Sequence, residues 1–344
     1  MPHEGDDSPL RREALIAVAA GLCAAVAGCG EPPAPVAPRL LPPLDTGELL
    51  GLVPRAGLAW LVRARPRAIA EIAWLIPALG TVLPERRLDA FREENALDPR
   101  QVVEAVFARF EGATGSAEAQ LVRAPGAARA AERRFRARLT SAIVRAEDRP
   151  DLVRVSGRVG NAVHALARLG DDVVVFQQGG SIDRGPARVA SLYARGSLVR
   201  VPTALSGGPV AELVHRFGDA PLLAVGLGPF PEPWTRGLRG LLAATTAIGA
   251  GARPTAREHV GISLALVGAW GDDATAAADV LREAWGELAR ATMGRLLGLD
   301  APIEAAVVAG SSEVLTLAIE LDPNRLAAGL SALLERDLDA IMRL

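Results

Sequence analysis

The chain has 344 residues, half of them apolar, with 38 arginines, no lysine, 40 acidic residues and a formal net charge of −2. So even a balance gives no electrostatic footprint for nucleic acid. With Cys23 and Cys29 as its two cysteines it has no disulfide framework, so stability must come from a hydrophobic core.

Near the start, Arg11-Arg12 precede an uncharged run of small and apolar residues from Ala14 to Gly28. The run is shorter than the roughly 20 residues a membrane-spanning helix needs and has the layout of a secretory signal peptide. It closes on Val26-Ala27-Gly28-Cys29, which resembles, position by position, the lipobox of bacterial lipoproteins. The resemblance covers the first thirty residues and implies diacylglyceryl transfer to Cys29, cleavage before it and N-acylation. Two features depart from the usual pattern: acidic Glu4, Asp6 and Asp7 precede Arg11, and Cys23 lies inside the apolar run behind the bulky Leu22. Each buried acyl methylene contributes about 0.8 kcal/mol, and stable anchoring takes more than one chain, which triacylation supplies. Gly30, not Asp, follows the cysteine, for which the resemblance implies the outer membrane of a Gram-negative cell, facing the periplasm. Residues 1–28 therefore read as a signal peptide. Residues 29–52 read as a Pro-rich tether, extended where Pro32, Pro33, Pro35, Pro38, Pro42 and Pro43 forbid helix and sheet.

The globular region is expected over 53–344. Leu58 to Ala64 alternates as a strand, and Arg65-Pro66 opens helical sequence to about Leu79. Further helices are predicted over Glu85 to Asn95 and from an Asp98 cap with Pro99 at the first helical position. A strand near Ala119 to Arg123 precedes a helix from about Ala127 to Leu139, with Ala128, Ala131, Phe135 and Leu139 on one face. Leu152 to Gln178 reads as a three-strand meander turning at Gly160-Asn161 and Gly170-Asp171. A helix over Pro186 to Tyr193 and a Gly/Pro/Ser connector to Pro209 end the first half.

The second half repeats that order. Pro221 to Leu227 is a strand, Trp234 to Leu242 a short helix, and Thr245 to Gly251 with His259 to Trp270 an antiparallel pair. Asp272 or Asp273 caps a helix whose Ala277, Leu281, Trp285, Leu288 and Thr292 share a face. A hairpin about Gly310-Ser311 precedes a final helix opened by Asp322-Pro323, with Leu326, Leu330, Leu333, Leu334, Leu338 and Ile341 on its stripe. The expected fold is α+β, antiparallel strands with helices on one face, built from two degenerate repeats, 53–195 and 217–344.

No residue cluster carries a cofactor or catalytic signature. His3, His164, His215 and His259 are scattered, without the close spacing of zinc ligands. No Gly-x-Ser-x-Gly elbow surrounds Ser141, Ser156, Ser181, Ser206 or Ser311-Ser312. Gly226 and Gly228 before Pro229 read as a turn, because no helix with a third glycine follows and no lysine exists to reach a phosphate. Asp171-Asp172 and Asp272-Asp273 sit where short acids accept backbone N–H bonds. Arg129, Arg133 and Arg136 form a stripe, either a solvated helix face or a contact for anionic lipid headgroups or peptidoglycan. Of Trp60, Trp74, Trp234, Trp270 and Trp285, Trp234 is the candidate partner contact and the others read mainly as packing anchors. The function these features support is a non-enzymatic, membrane-tethered envelope lipoprotein that binds or scaffolds another envelope protein, lipid or peptidoglycan. A carrier of an amphiphile in an apolar groove, and a tethered hydrolase in which a histidine converges on Ser or Asp, are the alternatives.

Overall fold

The computed structural model describes residues 42–112, 115–146, 149–198 and 200–334. The expected signal peptide, Cys29, the expected tether as far as residue 41, Leu338 and Ile341 lie outside the described residues.

In chain order the strands are β1 (Leu58–Ala64), β2 (Glu104–Gly112), β3 (Gly115–Arg123), β4 (Ile143–Ala146), β5 (Leu152–Val159), β6 (Ala162–Leu169), β7 (Val173–Gly179), β8 (Leu222–Leu227), β9 (Thr245–Pro254), β10 (Val260–Gly268), β11 (Glu304–Gly310) and β12 (Val314–Leu321). They form one twelve-stranded sheet, antiparallel at every pairing, in the order β11-β12-β10-β9-β8-β1-β2-β3-β7-β6-β5-β4. The helices are α1 (Pro66–Ala70), α2 (Ile76–Val82), α3 (Glu85–Asn95), α4 (Ala128–Arg138), α5 (Pro186–Ala194), α6 (Pro209–Phe217), α7 (Glu232–Thr235), α8 (Ala274–Arg290), α9 (Thr292–Leu296) and α10 (Pro323–Leu334). The class is α+β.

Reading outward from the central β1–β8 pair, both directions follow one plan. Three consecutive strands (β1-β2-β3 or β8-β9-β10) are extended by later strands that return with the last innermost, the four-strand meander β4 to β7 with β7 beside β3, and the hairpin β11–β12 with β12 beside β10. An amphipathic helix, α4 or α8, lies in sequence between the triplet and that return.

Helices cover both faces of the sheet, a correction to the one-face expectation. Leu121, Val175, Leu223 and Val225 point to a core shared with α5, α6 and a 3-10 turn at Leu49–Leu52. Their neighbours Val122, Val174 and Phe176 point the other way, under α4, while Leu315, Leu317 and Ile319 face α8. The unbroken run Val173-Val174-Val175-Phe176, buried throughout, is the sequence mark of a strand covered on both sides.

The body also begins before residue 53. Leu49 and Leu50 are fully buried, and the Leu49 N–H donates to Glu104 Oε2 at 3.3 Å, so the last residues of the expected tether belong to the core. The helix expected after Asp98 is one 3-10 turn, Pro99–Gln101. Asp98 does accept the Arg100 N–H, but Val102, Val103 and Val106 lead straight into β2. The helix expected at Trp234 to Leu242 is α7 plus a separate 3-10 stretch, Gly237–Ala243, interrupted where Leu238, Arg239 and Gly240 have positive φ. Strand β2, strand β4 and helix α6 went unpredicted. Helix α6 docks because β9 presents Gly249 and Gly251; a Cβ on Gly249 would lie 2.7 Å from the Phe217 ring and 2.8 Å from Leu213. Asp273 precedes α8 without a side-chain capping bond, whereas Asp322 caps α10 by accepting the Arg325 N–H at 2.8 Å.

Candidate apolar binding site

The sequence from Pro66 to Leu83 is too apolar to present a single stripe: Ile69, Ile72, Trp74, Leu75, Ile76, Leu79 and Val82 are spread over α1, the 3-10 turn Ala73–Leu75 with Ile72 before it, and α2. Pro66 and Pro77 sit in the first turns of α1 and α2, where a missing N–H is harmless and the chain is directed back over the strand it has left. Helix α10 approaches α2 from the other half of the chain. Its Gly329 lets it come close to α9, since a Cβ there would stand 2.2 Å from the Leu296 carbonyl.

Between α1, α2 and α10 and the strand residues Leu222, Ala252 and Val260 lies a cavity of about 180 Å³. Its walls include Ile72, Trp74, Ala78, Leu79, Leu326 and Leu330, and Arg253 is the one charged residue among its lining. Ala78 is 3% exposed, but Leu222 and Ile76 are 40% and 55% exposed, so apolar surface continues out of the cavity into solvent. A hollow walled in this way offers dispersion contacts and almost no hydrogen bonds. It suits an alkyl or aryl group, as an engineered apolar cavity of about 150 Å³ suits benzene.

Other hollows among the described residues are mixed, polar or small. One of about 540 Å³ is mixed, lined by Asp45, Glu48, Thr203 and Ser206 together with Leu52, Leu198, Val201 and Leu205. Another of about 190 Å³ lies beside Arg216, Ser263 and Thr316. A crevice of about 20 Å³ holds Gln120, His164 and Gln177, and the buried Gln120 Oε1 has no hydrogen-bond partner. Burial, and behind it the nearby Arg138, pushes the His164 imidazole below its ordinary value of 6.5.

The residues singled out by sequence are dispersed. On α4, Arg129 donates to Asp171 at 2.7 Å, Arg136 stands 3.9 Å from Glu132, and Arg133 is exposed, so carboxylates offset part of the stripe's charge. Asp171 and Asp172 do structural work: Asp172 Oδ1 accepts the Gly126 N–H at 2.9 Å, and the two carbonyls accept from Ala128 and Ala124. His259 Nδ1 lies 3.1 Å from Glu320, and His215 is exposed on α6. Among the described residues no three His, Cys, Asp or Glu are placed to hold a metal ion. Ser311 bonds to Val314 and Ser206 to Thr203. Gly226 lies in β8, and the Gly228 N–H just beyond it donates to the Thr246 carbonyl at 2.8 Å, extending the β8–β9 pairing. Trp270 is buried with its Nε1 on the Leu266 carbonyl, Trp74 lines the cavity, and Trp60 is 39% exposed. Trp234 belongs to α7, with its side chain outside the described residues. The helical part of this lining, Ile69 to Val82, carries no site signature in the sequence; the signal that can find it is the excess of apolar residues over what one buried stripe requires.

Fold and site thus define an α+β protein with an open antiparallel sheet and an apolar cavity under its α1–α2 and α10 helices. No protein-family description and no curated protein sequence matches the chain. It is similar to solved structures of TP0453. Crystal form III matches at a TM-score of 0.49 with 12% identity, covering 82% of this chain and 97% of that one. Form I gives 0.47 and 12%, covering 84% and 98%, and form IV 0.45 and 11%, covering 82% and 96%. Among the described residues no helix is long and apolar enough to cross a membrane.

Proposed function

We propose that this chain is a lipid-anchored protein of the bacterial envelope, held by an acylated Cys29 at the periplasmic face of the outer membrane, that binds the alkyl part of an amphiphile without transforming it. The observation that carries the binding reading is the cavity between α1, α2 and α10, whose lining is apolar but for Arg253. The leader and lipobox support the anchor, and a tethered protein meets amphiphiles at the concentration of its own membrane. At about 180 Å³ the cavity takes the end of one chain, not a whole lipid. Binding or scaffolding of an envelope protein, by comparison, has no equally enclosed surface to support it among the described residues.

Two measurements test the reading. Native mass spectrometry of protein extracted from its own membrane should show an acylated mass beginning at Cys29, together with a released species of fatty-acid or lipid mass. A fluorescent long-chain fatty acid should bind the chain carrying Cys29→Ser and be displaced by unlabelled fatty acid. Absence of any displaceable binding would remove the amphiphile reading, and an unmodified thiol would remove the anchor.

A further inference from the structure

The central strands β1, β2 and β8 have one face packed against the Leu49–Leu52 turn and α6; on their other face α1, α2 and α10 meet the Leu222 end and Ala105 is buried with α4, while Trp60, Val62 and Phe107 stay partly exposed. Helix α4 covers that face over β5 to β7, and α8 covers it over β10 to β12, which leaves a trough between them. The register fixes what lines it. Ala64 pairs with Leu222, Val62 with Ala224 and Phe107, and Trp60 with Gly226 and Arg109. Large Trp60 and Phe107, 39% and 36% exposed, thus flank Val62 and small Ala224, with Phe230 and Ile248 against Gly226, which makes an uneven apolar floor. Leu222 begins this floor and also lines the cavity, so the two apolar surfaces are continuous. The far end is polar, where Arg109 bonds Glu111 at 2.8 Å and Glu118 at 3.4 Å. From Ala64 to Trp60 the floor extends about 13 Å at about 3.3 Å per strand residue.

We infer that the bound amphiphile has a single chain and lies along β1, with its methyl end in the cavity, its middle over Leu222, Val62 and Phe107, and its polar head near Arg109 and Glu118. The inference rests on the alkyl-binding reading above. It fixes the number of chains, because a cavity of benzene scale beside one narrow floor leaves a second chain in water. It also fixes the direction, because Arg109, Glu111 and Glu118 cluster at the end of the floor away from the cavity, whose own lining is charged only at Arg253.

The test uses the full chain carrying Cys29→Ser, so that no attached acyl group competes, and C16 fatty acids brominated either near the methyl end or near the carboxylate, bromine being a contact quencher of tryptophan. Comparison with Trp74→Phe and Trp60→Phe variants assigns the quenched emission. Methyl-end bromines should quench the Trp74 component and carboxyl-end bromines the Trp60 component. The reversed pattern, or quenching of Trp74 by both with Trp60 untouched, would overturn the inference and leave the alkyl-binding reading standing. No displaceable binding of the unbrominated acid would remove both. A chain-length series adds a readout independent of tryptophan. Each methylene should raise affinity about fourfold while it still finds apolar surface, so the gain should continue past the roughly six carbons that a benzene-sized cavity holds. In Val62→Glu the gain should stop there, with the shortest acids unaffected. A wild-type plateau at six carbons, or a two-chain phospholipid binding as tightly as the single-chain acid, would overturn the inference.

Discussion

Filling the cavity should separate ligand binding from folding. Ala78 lines the hollow at 3% exposure, so a side chain grown from its Cβ has nowhere else to go. Ala78→Phe adds a six-carbon ring, and since about 150 Å³ accommodates one benzene, that ring uses most of the roughly 180 Å³ present. The six alkyl carbons it displaces would contribute at most about 5 kcal/mol, at about 0.8 kcal/mol each. Ordering the chain and relaxation of the walls reduce the share realised in binding. The expected loss is therefore about 100-fold in affinity for a long-chain fatty acid, equivalent to about 2.7 kcal/mol. Displacement of a fluorescent fatty acid measures it, with thermal unfolding of the ligand-free protein as the control. The graded series Ala78→Val, Ala78→Leu and Ala78→Phe should weaken binding in order of added volume while the melting temperature holds or rises. Unchanged affinity in a Phe variant that folds normally would refute the assignment of this cavity as the chain-end site.

Three further outcomes follow from other parts of the molecule. Arg168 and Glu132, both nearly buried, form a 2.7 Å ion pair between β6 and α4. Glu132→Gln should cost about 3 kcal/mol, because it leaves a buried guanidinium with only carbonyl partners and the more distant Asp171, whereas Glu132→Leu with Arg168→Met should recover most of the loss; urea titration of the variants checks both, and a loss below about 1 kcal/mol for the single change would contradict the argument. The depressed His164 pKa means that the unfolded chain binds its proton more tightly, so this residue's contribution to stability is present above pH 6.5 and declines as the pH falls below it. His164→Gln should flatten that part of the stability–pH curve, and an unaltered slope would show that another group sets it. Finally, replacing Arg129, Arg133 and Arg136 with glutamine should weaken the attraction of the unlipidated domain to anionic vesicles, most at low salt. Unchanged vesicle binding would discard the stripe as a surface contact.

Periodicity alone determined much of this protein. β1, the β5–β7 meander, the β11–β12 hairpin and helices α3, α4 and α8 fall within a residue or two of where alternation, turn residues and the 3.6-residue stripe place them, because those signals are local. The lipobox-like string Val26-Ala27-Gly28-Cys29 is local too, legible without any fold. What failed locally was decided by distant partners. Arg63 occupies a position of β1 that a local reading leaves to solvent, yet it is buried, since α6 ends above it and offers the Gly218 carbonyl at 2.9 Å. Leu288 lies on the apolar stripe read for α8 but is 42% exposed, because the helix buries Ala284 and Ala289 instead. The cavity needs α1 and α2 from one end of the chain and α10 from the other, about 250 residues later, both docked on β8 and β9 in the middle. Hydrophobic pattern tells each of these segments to hide a face but not against what. Only the closing of one sheet across the β1–β8 pair brings them together, and with them the space left between them.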